Sequence, residues 1–359
     1  MKPLLGFLTP WIVYALITLL HYLLPGKWVT GYVRDKETGE LLRYRLNGRL
    51  VLIVSLALWY FLGHFAILPF DWLYQVRWFS LAGAFTLGIL YTLYAVLPHA
   101  STGKSLFADI YLGRSDNPQY LKGRIDAKMW LYLVGAVMLE LHVVSFSAHH
   151  YMTFGLESSQ GFLLCACMLT YFVFDYLSFE KVHLYTYDFF AEKVGFKLGW
   201  GCLVFYPYFY SIPLWATASL SGEDTPAWLL LLSAGVFFTG WMFARGANMQ
   251  KFFFKTDPAR SFLGIQAETI SQGGQSLLVN GFWGISRHVN YLGEILMGSG
   301  IALAVSFYGS WLPWLYPLYY VALLLPRQLD DDNRCAAKYG PLWDKYRAKV
   351  KYRIIPYLY

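Results

Sequence analysis

A chain of 359 residues has the length of two soluble domains, yet 57% of its residues are hydrophobic, 19% aromatic and only 14% charged. Soluble domains carry about 25% charged residues, so this balance excludes an ordinary water-soluble fold and points to lipid as the solvent. The formal charge of +7 comes from Lys and Arg placed mainly in short segments between apolar runs, the placement of membrane orientation signals and not of a nucleic-acid surface.

A helix crossing roughly 30 Å of hydrocarbon needs about 20 mostly apolar residues. The first such run, Gly6 to Leu24, follows Lys2 and ends at Pro25 and Gly26 with no small-residue cleavage site, so it is expected as a retained first span. Further spans are expected at Leu50 to Leu68, Phe79 to Leu97, Met129 to Ala148, Gly161 to Phe179 and Leu198 to Thr217. Trp228 to Ala244, Tyr291 to Phe307 and Trp311 to Leu325 bring the total to nine. Leu277 to Ile285 is too short to span and, with Gly281 and Gly284, suggests a re-entrant or broken tenth helix. The expected fold is an all-α integral membrane protein of about 9–10 transmembrane helices in one bundle. Residues 1–359 form one membrane domain, with N-terminal helices in 1–190 and C-terminal helices in 198–359. Cys165, Cys167, Cys202 and Cys335 make no disulfide ladder or zinc motif and read as packing residues.

Polar residues gather at Lys27 to Arg49, Ser101 to Lys128, Arg245 to Asn290 and Arg327 to Tyr359. The positive-inside rule places the Arg245 to Arg287 and Arg334 to Arg353 stretches on the cytoplasmic side. Ionisable groups at membrane depth are expensive, which singles out Glu140, His142 and Asp175 as functional or as interhelical glue. The aromatic runs FVFDYLSF and FYPYFYSIPLW, with Tyr176 and Tyr210, offer a flat wall for a planar polycyclic ligand, or simply pack helices.

In RGANMQKFFFK, Lys251 and Lys255 share a helical face, either as snorkelling lysines or with an anion between them. GFWGISRHVNYLGE puts Trp283, Arg287, His288, Asn290 and Tyr291 at the mouth of an apolar run, and LLLPRQLDDDNRCAAKYG places Arg327 one turn from Asp331. No GxGxxG follows a strand, so a nicotinamide cofactor would need a pocket within the membrane fold.

RGANMQKFFFK, GFWGISRHVNYLGE and RCAAKYGPLWDKY…RIIPYLY, in this order, closely resemble the sterol reductase family, which includes Δ14-sterol reductases, 7-dehydrocholesterol reductase, sterol C24 reductases and the membrane part of the lamin B receptor. The resemblance extends upstream to LLPGKWVTGYV…LRYRLNG and DIYLGRSDNPQY. It implies NADPH held among the C-terminal helices beside a lipid-accessible sterol pocket. Lys251 and Lys255 would contact cofactor phosphates, and Trp283, Arg287, His288, Asn290, Tyr291, Arg327 and Asp331 match the family's cofactor stretch. Arg334, Lys338, Tyr339 and Tyr346 would line the same pocket. The implied chemistry is proton addition to an alkene and hydride transfer, with Asp331 or a tyrosine, Tyr171 or Tyr176, as proton donor and Glu140, Asp175 and Tyr210 on the substrate side.

Three departures fall mostly at the sterol end. Phe172 stands for a family tyrosine, Phe179-Glu180-Lys181 for His-Glu-Glu, and Arg327-Gln328-Leu329-Asp330-Asp331-Asp332 for Arg-x-x-Arg-Asp-Glu. The Δ14, Δ7 and C24 positions therefore stay open. An isoprenylcysteine-type methyltransferase, a non-catalytic sterol-binding membrane protein and a transporter are the competing readings. A sterol substrate and the lipid bilayer are the expected partners, in the endoplasmic reticulum of a eukaryote or the cytoplasmic membrane of a bacterium.

Overall fold

The computed structural model describes residues 1–35, 38–222 and 225–359; Lys36 and Glu37, within the polar stretch expected at Lys27 to Arg49, lie outside them. Among the described residues, five helices are long and apolar enough to cross a membrane: Lys2–Leu23, Arg77–Val96, Ala127–Phe154, Glu157–Ser178 and Ala227–Thr256. Gly48–His64 and Val289–Ala304 are shorter apolar helices. Large apolar side chains face outward, Leu231 at 76% and Trp78 at 65% exposed, which suits lipid and not water. The protein is an all-α integral membrane protein; among the described residues its strands form only small hairpins. It divides into two compact units, Met1–Glu223 and Asp224–Tyr359.

In the first unit, α1 (Lys2–Leu23) leads into the antiparallel hairpin of β1 (Lys27–Arg34) and β2 (Leu41–Leu46), with Lys27 opposite Leu46. The last carbonyls of a helix lack partners within it. Arg45 donates to the Tyr22 and Leu24 oxygens at 2.8 and 2.5 Å, and Asn47 to the His21 and Leu24 oxygens at 3.1 and 3.2 Å. The hairpin thus closes α1 just where α2 (Gly48–His64) begins. Glu180 serves the start of α2: its Oε2 accepts the Gly48 amide at 3.0 Å. Burial pushes the Glu180 carboxyl up to about 7, against the lowering effect of that hydrogen bond.

Next come α3 (Trp72–Gln75), α4 (Arg77–Val96), α5 (Leu106–Leu112) and the small hairpin of β3 (Gln119–Tyr120) and β4 (Ile125–Asp126). Asp109 ties this polar stretch together, accepting from Ser101, Thr102 and Arg114 side chains at 2.9, 2.5 and 2.9 Å. α6 (Ala127–Phe154) begins with the Asp126 side chain on the Met129 amide at 2.9 Å. Its apolar window is 83% buried, which makes it the axis of the unit, with α7 (Gln160–Ser178) packed along it. The short helices α8 (Glu180–His183) and α9 (Tyr187–Phe190) follow.

The span expected at Leu198 to Thr217 is a chain of short pieces: α10 (Phe196–Trp200), a π-helical turn Gly201–Phe205, α11 (Tyr206–Phe209) and α12 (Ile212–Thr217). Pro207 and Pro213 cannot donate the amides that a continuous helix needs. Side chains meet the neighbouring carbonyls. The Pro207 oxygen accepts from Ser211 at 2.9 Å and lies 3.1 Å from His142 Nδ1, and the Pro213 oxygen accepts from Thr217 at 2.7 Å. Broken backbone is tolerated at membrane depth only with such partners.

In the second unit, α13 (Ala227–Thr256) runs past the span expected to end at Ala244, so RGANMQKFFFK is helical. A hairpin of β5 (Thr269–Gln272) and β6 (Gln275–Leu278) follows, where a re-entrant helix was expected from Leu277; only α14 (Phe282–Ile285) is helical there. Gly273 and Gly274, at φ 58° and 77°, make the two-residue turn. α15 (Val289–Ala304) packs closely on α13: a Cβ on Gly293 would sit 2.4 Å from the Ala244 nitrogen and 2.5 Å from the Gly240 oxygen. α16 (Leu315–Tyr339) continues beyond the span expected to end at Leu325, and α17 (Pro341–Lys349) completes the unit.

Gly293→Val is expected to destabilise the protein by about 1–3 kcal/mol through overpacking, read as a lower thermal midpoint in detergent; an unchanged midpoint would show that α13 and α15 separate freely. For Glu180, the folded carboxyl titrates near 7 against an ordinary 4.5. The folded state holds the extra proton between those values, so stability falls as pH rises through that window. Glu180→Gln, which keeps an acceptor for Gly48, is expected to flatten this slope in thermal midpoints taken across it, and an unaltered slope would remove Glu180 as its source.

Candidate functional site

The last turns of α13 carry Lys251, half-buried, and Lys255, exposed. Lys251 Nζ lies 5.4 Å from the centre of the Trp283 ring, a cation–π contact. Trp283 is itself tied to α13, its indole donating to the Ala247 oxygen at 2.8 Å. The buried Gln250 ties down the preceding loop: its Oε1 accepts the Phe282 amide at 3.0 Å and its Nε2 donates to the Asn280 oxygen at 3.3 Å.

Arg287 and His288 are buried between α14 and α15. Arg287 donates from one guanidinium nitrogen to the Val350 and Lys351 oxygens, both at 3.0 Å, and its Nε lies 3.7 Å from Asp332 Oδ1. The His288 ring lies parallel to Tyr291 at 4.9 Å. Burial, then the charges of Arg287, Lys251 and Arg353, push His288 down to about 3, so its ring is neutral. His288 Nε2 and the Asn290 side-chain oxygen are buried without a hydrogen-bond partner.

α16 and α17 supply the facing groups. Asp331 lies within electrostatic reach of Lys251, Arg327 and Arg334, and burial, its largest influence, pushes its carboxyl up against all three. Lys338 acts on both Lys251 and Lys255. Arg334 pairs with Asp330 at 2.8 Å, the i,i+4 pair found here in addition to the expected proximity of Arg327 and Asp331. That pair is about half exposed, where such contacts contribute about 0.2–1 kcal/mol. Tyr346 is buried, stacks on Trp343 at 4.9 Å, and has its phenol raised by burial; Tyr339 lies 6.4 Å from Trp343.

Lys251, Lys255, Lys338, Arg287, Arg327, Arg334, Asp331 and Tyr346 therefore fall into one electrostatically connected group. Mutually repelling lysines beside unpartnered donors and acceptors fit a multiply charged anion with polar ring atoms. Gln250, Gln328, Asp332 and Arg353 belong to this region but were not singled out from sequence, because each acts through a partner distant in the chain. The GG turn of TISQGGQSLL was a readable hairpin signal.

The remaining candidates lie in the first unit. Glu140 is 1% exposed; its Oε1 accepts from Thr170 at 2.8 Å, in place of the expected His or Arg, and its Oε2 has no hydrogen-bond partner. Asp175 is buried on α7, and Tyr171 is half-buried on the same helix. Tyr176 stacks on His183 at 3.9 Å, and the two line a small cavity with Met129, Leu133 and Glu180. The Phe172 ring lies 6.5 Å from that of Tyr176 and 6.4 Å from that of Tyr210, so the structure places Phe172 beside both tyrosines.

Residues 5–359 match the model of the ergosterol biosynthesis ERG4/ERG24 family. The chain is 32% identical to Delta(14)-sterol reductase of Arabidopsis thaliana, covering 99% of this chain and 98% of that protein. It is also 32% identical to Delta(14)-sterol reductase erg24 of Schizosaccharomyces pombe, over 96% of this chain and 83% of that one, and to Delta(14)-sterol reductase of the bacterium Methylotuvimicrobium alcaliphilum, over 93% and 79%. With this match along nearly its whole length, and with helices built for a bilayer, the chain belongs to the ergosterol biosynthesis ERG4/ERG24 family and is an integral membrane oxidoreductase of sterol biosynthesis.

Proposed function

We propose that this protein reduces the Δ14 double bond of a sterol with NADPH. The Δ14 position is supported by the relatives, which carry that name from plant, fungus and bacterium. The observation that carries the cofactor is the cluster of Lys251, Lys255 and Lys338 beside the neutral His288 with its unpartnered Nε2. Full-length similarity to reductases favours this reading over an isoprenylcysteine-type methyltransferase or a non-catalytic sterol binder.

Lys251, Lys255 and Lys338 would hold phosphate groups, and Trp283, already under the Lys251 cation, offers a flat face to a ring. His288 and Asn290 offer one buried atom each for hydrogen bonds to polar ring substituents. When bound, NADPH supplies the hydride that completes saturation of the alkene. Asp331 is the first choice for the proton: burial favours its neutral carboxyl, which then holds a proton to higher pH than an ordinary aspartate. Tyr176 and Tyr171 are the alternative donors, and Glu140, Asp175 and Tyr210 remain the substrate-side assignments.

Membranes containing the protein, incubated with NADPH and Δ7, Δ14, Δ24 and Δ24(28) sterols, are expected to lose only the Δ14 bond by mass spectrometry; saturation at another bond instead would overturn the assigned position. Asp331→Asn is expected to lower kcat about 100-fold or more, and wild-type turnover would remove Asp331 from the mechanism. Lys251→Ala is expected to raise the KM for NADPH about tenfold, near 1.4 kcal/mol of binding, and a lowered kcat with unaltered KM would count against a phosphate contact.

A further inference from the structure

Residues 350–359 form a strap across the second unit. The main-chain oxygens of Val350 and Lys351 accept from the Arg287 side chain, that of Tyr352 from the Arg287 amide, and that of Arg353 from the His288 amide. The Ile354 oxygen accepts from the Ser286 hydroxyl at 2.9 Å. The strap is folded back on itself by Tyr359, whose main-chain oxygen accepts the amides of Arg353, Ile354 and Ile355 at 2.8, 2.9 and 3.1 Å.

The Tyr359 phenol joins the strap to α16. Its oxygen accepts from Arg353 at 3.2 Å and from Gln328 Nε2 at 3.1 Å. Gln328 is fully buried next to Arg327, and its Oε1 has no hydrogen-bond partner. An apolar side chain would fill that position with no polar atom left unsatisfied. The bond to Tyr359 is what the amide accomplishes. One turn further along α16, Asp332 meets Arg287 at 3.7 Å, so the strap, the Arg287–His288 segment and α16 close into one loop of contacts.

We infer that Gln328 and Tyr359 are positioning residues: their hydrogen bond holds the Arg287–His288 side of the pocket at a set distance from the Arg327–Asp331 side and thereby tunes affinity for the dinucleotide. This rests on the NADPH reading above. Neither side chain needs to touch the cofactor. Loss of the bond lets the strap shift against α16, and His288, held through its own amide, shifts with it.

The test uses the full-length protein in detergent or nanodiscs, with NADPH titrated against Tyr359→Phe, Gln328→Met and the double variant. Each single change is expected to raise the Kd and KM for NADPH about fivefold, with kcat within about twofold, and the double variant is expected to be no worse than either single one. Effects that multiply in the double variant, or a lowered thermal midpoint with unaltered KM, would overturn the positioning role. If Tyr359→Phe does not fold, Gln328→Met, which keeps the length of the buried side chain, decides the question alone. Wild-type protein that binds no NADPH overturns the cofactor reading together with this one, whereas wild-type binding with unaltered variants overturns this one only.

Discussion

Direct backbone contact between α13 and α15 governs the second unit. At Gly240 and Gly293 there is no room for a side chain between the two helices, and in lipid, where apolar surface gains little from being hidden, such close packing of small residues is what holds helices together. The contact sets the spacing of the residues that flank each glycine in sequence. Lys251 and Lys255 stand about three and four turns along α13 from Gly240, while Arg287 and His288 lie just before α15 and Asn290 in its first turn, shortly ahead of Gly293. The cations and the neutral histidine of the candidate pocket are therefore brought together by residues with no functional groups at all.

Polar satisfaction shapes the rest. A membrane interior offers no water to unpaired backbone groups, and the first unit answers this at three breaks in its helices. Arg45 and Asn47 close α1, Glu180 opens α2, and Ser211, Thr217 and His142 meet the carbonyls of the proline-broken segment. His142 and Glu140 are each met on one side only: His142 Nδ1 lies at the Pro207 oxygen and Glu140 Oε1 has the Thr170 hydroxyl, while His142 Nε2 and Glu140 Oε2 have no hydrogen-bond partner.

In the second unit the charges are unevenly distributed. Arg287 is committed to the strap carbonyls and Asp332, and Arg334 to Asp330, while Lys251, Lys255 and Lys338 repel one another. Asp331 is one carboxylate against several cations, and burial opposes its ionisation. A group of this charge balance favours an anion over a cation, and the neutral His288 adds no further charge to it.

The sequence alone determined that this chain lives in lipid and where most spans lie, because span length and apolar content depend on the bilayer and not on neighbours. The long helices stand close to the expected runs, and the Lys251, His288 and Asp331 stretches were legible because their residue types recur in a known family pattern. Only the tertiary structure decided that Leu198 to Thr217 breaks into pieces, that the Gly273–Gly274 turn replaces a re-entrant helix, and that α13 and α16 run on into the polar stretches. It alone shows that Arg287 bonds the strap carbonyls and that Gln328 bonds Tyr359. The physical reason is that a hydrogen bond needs a partner at about 3 Å, and no periodicity along a chain states which residue, tens of positions away, will stand there.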